Sequence, residues 1–309
     1  MTGTQRCFCT IITRSHLAWA LALADSLRVW DPDLPFVILV SDLPDGEEPD
    51  LGGLEDIEVV RVADLLHLPM GAAIAAKCAD RKDHLRWSLK PVLMEYLHLH
   101  HAKVIYGDCD LYFYADPAFI WAELDRADML LTPHWRSSIA TVDRPNFDQL
   151  YVGGLYNAGF VASHRRGIPA LRHWGGNCLE VCFKDFTKGQ CDDQAHLNLL
   201  PVYFEGVQVL RHRGCNVANW NMVECARTAA ADGAVLINGT FPIVFIHFTR
   251  SMIDGIVDGT DGLLMPHLRI LRDRLLEAGF GRDVIADSER RLAEKNKEPA
   301  TSVRARLGK

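Results

Sequence analysis

Asp108 and Asp110 stand two residues apart just beyond the apolar run Lys103-Val-Ile-Tyr-Gly107, and no other pair in this 309-residue chain is better placed to do chemistry. Val104-Ile-Tyr106 has the β-branched and aromatic content of a short buried strand, and Gly107 loosens the backbone where that strand would end. In open α/β sheets ligands bind outside the carboxyl ends of strands, so a strand ending in Asp-x-Asp is suitably placed for a site. Alternate residues of extended chain point the same way, which lets both carboxylates converge on one cation. Hard oxygen donors suit Mg²⁺ or Mn²⁺, with the remaining positions left to water and a diphosphate. A solvated turn is the other reading of the same residues.

Further candidates lie along the chain. Residues 86–97 read as a helix in which Pro91 is tolerable only near the first turn, which puts Lys90 close to a helix N-terminus. A cation there gains nothing from the helix dipole, so the position makes more sense with an anion nearby; a solvated lysine is the alternative. Gly153-Gly-Leu-Tyr-Asn-Ala-Gly-Phe160 combines glycines for close backbone approach with Asn157, a neutral donor and acceptor suited to a sugar hydroxyl or to a turn. Asp193 precedes an apolar stretch and reads either as a site carboxylate or as an N-cap. His247, in the apolar run 241–250, is either a metal ligand or a packed histidine. Thr10 and Thr13, followed by Arg14 and Ser15, put polar groups where a base or ribose could lie.

The elements that must position these residues follow from periodicity. Residues 7–13 read as a strand, 16–29 as a helix with Leu17, Leu21, Ala24 and Leu27 at helical spacing, and 36–40 as a second strand. That β-α-β start predicts a parallel sheet with a right-handed crossover. Strands are also expected at 57–62 and 129–134, a short helix at 119–126, a loop over 135–150, and an amphipathic helix carrying Leu268, Leu271, Leu275 and Leu276. Neither Gly-x-Gly-x-x-Gly nor Gly-Lys-Ser/Thr occurs, so no dinucleotide fingerprint or P-loop is supported. The expectation is one α/β domain over residues 1–280 and a flexible, polar and basic tail over 281–309.

A chain 49% hydrophobic and 24% charged is ordinary for a globular protein with a sizeable core. Its net charge of -7 argues against a nucleic-acid partner, whose footprint is a basic surface. Nine cysteines without paired C-x-x-C spacing read as reduced thiols, with Cys178, Cys182 and Cys191 the one cluster close enough to raise the thought of zinc. No run approaches a membrane span and the N-terminus does not read as a signal peptide, so a cytoplasmic location is expected; the basic tail reads either as a solvated segment or as a peripheral contact with acidic lipid headgroups at the inner membrane.

These signals fall in a recognisable order: the Thr-Ile-Ile-Thr strand, Lys90-Pro91, Asp108-Cys-Asp110 with Asp116-Pro117, Thr132-Pro-His134, Tyr156-Asn-Ala-Gly-Phe160, Asp193-Gln194, Gly214-Cys-Asn-Val-Ala-Asn-Trp-Asn221 and His247-Phe248. The sequence resembles bacterial GT-A-fold glycosyltransferases related to the retaining family 8 enzymes, over residues 7–250. The resemblance implies an α/β fold with a central, mostly parallel sheet flanked by helices. It implies a nucleotide-sugar donor, with Asp108, Asp110 and His247 holding Mn²⁺ or Mg²⁺ on the diphosphate. Lys90 matches a basic residue on the donor, Asn157 the Asn of an Asn-Ala-Gly motif, and Asp193-Gln194 an Asp-Gln pair beside the transferred sugar. Two departures stand out. The first strand lacks an Asp-Asp pair for base and ribose, so Thr10 and Thr13 only hold that place, and Cys109 lies between the metal aspartates, where its thiol, if exposed, would make activity oxidation-sensitive.

The implied chemistry is metal-assisted hexose transfer from a nucleoside diphosphate, UDP by expectation, to a glycan, lipid-linked or protein hydroxyl, with retention, in surface glycan synthesis. A nucleotidyltransferase making nucleotide sugars is the nearest alternative. It would show a Gly-rich basic loop after the first strand, which Thr13-Arg-Ser-His-Leu17 is not. A catalytically silent nucleotide-sugar-binding protein need not keep Asp108, Asp110 and His247, all present here.

Overall fold

A computed structural model of the protein describes residues 5–44, 46, 47, 49 and 56–297. The chain begins with β1 (Arg6–Ile12), α1 (Leu17–Arg28), β2 (Phe36–Val40) and β3 (Ile57–Arg61). Next come α2 (Pro69–Lys77), α3 (Lys82–Leu97), β4 (Lys103–Gly107), β5 (Leu111–Phe113), α4 (Ala118–Glu123) and β6 (Met129–Pro133). The middle holds α5 (Arg144–Val152), β7 (Tyr156–His164), α6 (Ile168–Glu180), β8 (Lys184–Asp185), β9 (Gln190–Cys191), α7 (Leu200–Tyr203) and β10 (Val207–Val209). After these come β11 (Arg227–Ala229), β12 (Val235–Ile237), β13 (Phe241–Pro242), β14 (Phe245–His247), α8 (Arg250–Val257), α9 (Met265–Glu277) and α10 (Val284–Lys297).

Seven strands make one sheet in the order β10-β6-β7-β4-β1-β2-β3, parallel throughout except for β7, which runs antiparallel to β4 and β6. The expected β1-α1-β2 unit is present, with Phe8 opposite Phe36 and Ile12 opposite Val40. Its strands are apolar throughout because both faces are covered. Cys7, Cys9 and Ile11 pack with Leu89 and Leu93 of α3 and Trp174 of α6, while Phe8 and Ile12 pack with Leu23 and Leu27 of α1. Each fully buried side chain of this kind contributes about 1.5–3 kcal/mol, so the fold rests on the two faces and not on the polar groups at the strand ends. All nine cysteines are free, and Cys178 and Cys182 belong to the core.

Three expectations are corrected. α3 begins at Lys82 and carries Pro91 in its interior, so Lys90 lies mid-helix and not near an N-terminus. An interior proline costs an isolated helix about 3 kcal/mol. Here the buried face of α3 packs on α6, where a Cβ on Gly175 would sit 3.5 Å from Pro91 Cγ, and that packing outweighs the loss. Residues 135–150, read as a loop, include the start of α5, whose N-cap Asp143 accepts from the Asn146 backbone N–H. The stretch read as a flexible tail from 281 contains α10. Its seam with α8 is polar, with Asp287 and Ser288 buried and Arg291 paired to Asp254 at 2.6 Å, so no apolar periodicity announced it. Residues 298–309, the end of the tail on which the membrane-contact expectation falls, lie outside the described residues. No helix among the described residues is long and apolar enough to cross a membrane.

Candidate functional site

The site forms where β4 ends and β14 arrives. β14 pairs antiparallel with β5, setting His247 opposite Leu111, and the Phe248 N–H donates to the Asp110 carbonyl at 2.8 Å. From the other side β7 runs against β4, and the Asp108 N–H donates to the Gly159 carbonyl at 2.8 Å. The result brings ligand atoms of Asp108, Asp110 and His247 within 4.8 Å of one another. Gly159 is the floor of this cluster: a Cβ there would lie 2.7 Å from His247 Cε1, 2.7 Å from Asn157 Oδ1 and 2.8 Å from Asp108 Oδ2. If the cluster holds a divalent cation, Gly159→Ala should push Asp108 and His247 apart and cut the affinity for it by about 10- to 100-fold, the loss typical of disturbed ligand support, as read by calorimetry with Mn²⁺. Unchanged affinity would show that the cluster does not hold the ion.

Hydrogen bonds set the ligand geometry. His247 Nδ1 lies 3.2 Å from Asn216 Oδ1 and 3.3 Å from Asn157 Nδ2, and its Nε2 faces Asp110 Oδ1 at 3.1 Å. Burial presses the His247 pKa down, but attraction to Asp110 outweighs it and the pKa stands above its ordinary value. Burial likewise works against the Asp110 carboxylate, yet His247 holds the Asp110 pKa below the usual range. Tyr106 Oη donates to Asp108 Oδ1 at 2.6 Å, and Lys90 Nζ lies 3.2 Å from the same oxygen. Lys90 Nζ is also 3.4 Å from Asp193 Oδ2 and donates to the Ala158 carbonyl at 3.2 Å. Burial favours neutral Lys90, but Asp108 and Asp193 more than reverse this and keep it cationic. Burial also drives the Asp193 carboxyl up to about 6 despite Lys90, whose contact is an ion pair without hydrogen-bond alignment, since Oδ2 has no hydrogen-bond partner.

Two cavities meet at this cluster, sharing Trp87, Lys90 and Asp108 in their walls. The larger, 530 Å³, is rimmed by Arg86, Arg250, Arg282 and Arg291 and by the ring of Trp19. The smaller, 340 Å³, is lined by Asn157, Asp193, Gln194, His134, Arg136 and Trp220.

The structure thus brings Lys90, Asp108, Cys109, Asp110, Asn157, Asp193, Gln194 and His247 to one place. Thr10 and Thr13 stand apart. Thr10 is fully buried in β1, Thr13 Oγ1 bonds Ser15 Oγ and His16 Nδ1, both at 2.9 Å, and it is Ser15 and His16 that line the larger cavity. Asp193 does not cap the turn it precedes, and its side chain faces Lys90. Asn157 accepts the Gly159 N–H at 2.6 Å and offers Nδ2 to Asn216 Oδ1 at 3.4 Å, so its amide supports the ligands. Burial and the flanking aspartates raise the Cys109 thiol well above its ordinary pKa, which keeps it a thiol and a poor nucleophile. Sequence reasoning passed over Tyr106 and Asn216. The signal for Asn216 was weak, because its role depends on a left-handed φ of 60°, which asparagine tolerates better than most residues.

Comparison with other proteins follows the same line. No protein-family model matches the chain. The uncharacterized proteins YfnF and YfnD of Bacillus subtilis (strain 168) are similar to it. YfnF is 27% identical over 250 residues, covering 78% of this chain and 80% of YfnF, and YfnD is 29% identical over 251 residues, covering 78% and 76%. Among solved structures, the galactosyltransferase LgtC in complex with donor and acceptor sugar analogs matches with a TM-score of 0.51 at 16% identity, covering 78% of this chain and 86% of LgtC. Mouse xyloside xylosyltransferase 1 matches with a TM-score of 0.51 at 12% identity, covering 81% of this chain and 99% of that one. With its seven-stranded, mostly parallel sheet flanked by helices, the chain has the GT-A fold of these glycosyltransferases.

Proposed function

We propose that this protein is a divalent-metal-dependent glycosyltransferase that moves a hexose from a UDP-sugar to a hydroxyl acceptor with retention at the anomeric carbon. The observation that carries the reading is the Asp108, Asp110 and His247 cluster at the junction of two cavities, one rimmed by arginines and one lined in part by Asn157, Asp193 and Gln194. Two carboxylates and an imidazole whose Nδ1 is braced by Asn216 and Asn157 fit a cation, and the nitrogen ligand favours Mn²⁺ over Mg²⁺, which takes oxygen almost alone. When bound, that cation supplies positive charge against the diphosphate leaving group.

The chain's own residues account for the rest. Cationic Lys90, held by Asp108 and Asp193, faces both cavities and adds charge where the glycosidic bond to phosphate breaks. The acceptor oxygen bonds the anomeric carbon on the face the phosphate leaves, and the acceptor proton passes to the departing phosphate oxygen. Asp193 and Gln194 position the sugar, since Asp193 is 2% exposed and tied to Lys90, a poor placement for a base that must reach an acceptor. The acceptor belongs to surface glycan assembly in this reading, and the work is done in the cytoplasm.

The test is incubation with a panel of nucleotide hexoses, a sugar acceptor and Mn²⁺, followed by mass spectrometry and proton NMR of the new linkage. An α-linked product from an α-donor, abolished by EDTA, is expected. A β-linked product would overturn retention, undiminished transfer in EDTA would overturn the metal role, and nucleotide-sugar synthesis from a nucleoside triphosphate would make the protein a nucleotidyltransferase.

A further inference from the structure

The smaller cavity holds two groups that this transfer leaves unused, Arg136 and Trp220. Arg136 Nη1 donates to Asn146 Oδ1 at 2.5 Å, its guanidinium carbon lies 5.8 Å from the Trp220 ring centroid, and its buried Nε has no hydrogen-bond partner. Among the described residues no carboxylate forms an ion pair with it. Asp143, a carboxylate on the same side, instead accepts from Asn146 N at 3.1 Å and Asn146 Nδ2 at 2.8 Å. Trp220 Nε1 is likewise buried without a partner. An arginine stays charged at any ordinary pH, so a guanidinium drawn partly out of water without a counter-ion is a cost that a ligand can remove.

The backbone is built to place it. Trp135 has φ 53°, a left-handed conformation that strains a bulky residue. The turn sends the Trp135 ring under Arg213, 3.8 Å from its guanidinium carbon, and leaves His134 and Arg136 on the cavity wall. Elsewhere in the same wall, Asp192 Oδ1 and Asp193 Oδ2 are buried acceptors without hydrogen-bond partners. The cavity thus offers acceptors for ring hydroxyls together with an uncompensated guanidinium and a neutral indole N–H donor.

We propose that the glycosyl ligand of this cavity carries an oxyanion, a carboxylate or phosphate oxygen, that pairs with Arg136 and Trp220. This rests on the nucleotide-sugar reading and adds to it the chemistry of the sugar's charged group. A planar guanidinium suits such a group because it can present two parallel N–H donors. The group can belong to the donor sugar, as in a hexuronate, or to the acceptor, as in a sugar phosphate.

Calorimetry with Mn²⁺ on the full chain separates these sources, using wild type, Arg136→Gln and Arg136→Lys. One arm compares UDP-glucuronate with UDP-glucose, and the other compares glucose phosphate with glucose on UDP-loaded protein. One charged probe is expected to bind wild type about tenfold or more tighter than its neutral counterpart, the worth of one charge-assisted hydrogen bond. Arg136→Gln should erase that preference and Arg136→Lys keep part of it, with UDP binding equal in all three proteins as evidence of folding. The arm that responds identifies the source. Equal binding of charged and neutral probes in both arms, or a preference that survives Arg136→Gln, overturns the proposal while UDP binding keeps the nucleotide-sugar reading intact. If wild type fails to bind UDP, that reading fails and takes this proposal with it.

Discussion

Asp110→Asn is expected to lower transfer by ~10² or more while leaving the fold in place. The carboxylate sits just past the end of β4, its side chain is 31% exposed, and none of the three apolar clusters depends on it. Its one strong partner is His247 Nε2 at 3.1 Å, the nitrogen proposed to face the cation. An amide keeps the size and one oxygen but loses the charge, so UDP affinity in the variant should no longer rise when Mn²⁺ is added. Removing the carboxylate also removes the attraction that raises the His247 pKa, so His247 should titrate at lower pH, observable by NMR of the imidazole. The thermal melt should stay within about 3 °C of wild type, the scale of a surface-type change in a domain of this size. A variant that keeps more than about a tenth of the activity, or that unfolds outright, would make the aspartate pair structural and remove the charge-stabilisation argument that predicts the loss.

How much of this was legible in sequence differs residue by residue. β1, β2 and β4 could be read because parallel strands buried on both faces are apolar without interruption, and the Asp-x-Asp at the end of such a run is a local pattern. His247 could be noticed in its apolar run, but only the family order favoured the ligand over the packed histidine, because its proximity to Asp110 is created by the pairing of β14 with β5, a contact between distant segments. Lys90 was singled out but placed at a helix start, since Pro91 normally marks one, and the packing of α3 on α6 overrode that local rule. Asn216 and Arg136 were beyond reach. Each owes its position to left-handed backbone, at Asn216 itself and at Trp135, and composition carries no trace of that. α10 escaped because charged pairs, not leucines, line its contact with α8.

Lys90→Met should give the largest stability loss of any single change at the site, about 3–5 kcal/mol at pH 8 in EDTA, which corresponds to a fall of roughly 10 °C or more in melting temperature. Lys90 is 5% exposed and is the cation between Asp108 and Asp193, and methionine fills much the same volume while leaving both carboxylates without it. The pH dependence gives the sharper test. In the wild type Asp193 has its pKa raised from 3.8 to about 6, chiefly by burial, with Lys90 acting in the opposite direction. A carboxyl raised on folding binds a proton more tightly in the folded state, so its contribution is fully present below the unfolded value and is lost as pH climbs through the folded one. Without Lys90 the folded value moves higher still, and the loss extends to higher pH. The gap between variant and wild-type melting temperatures should therefore be wide at pH 8 and narrow toward pH 5, where Asp193 can take up its proton and no longer needs a cation. Mn²⁺ should recover part of the stability at pH 8, because binding to the folded state alone stabilises it and the ion's charge stands in beside Asp108. A melting temperature within about 2 °C of wild type at pH 8, or a gap that does not change with pH, would mean that Lys90 is solvated and that neither carboxylate relies on it.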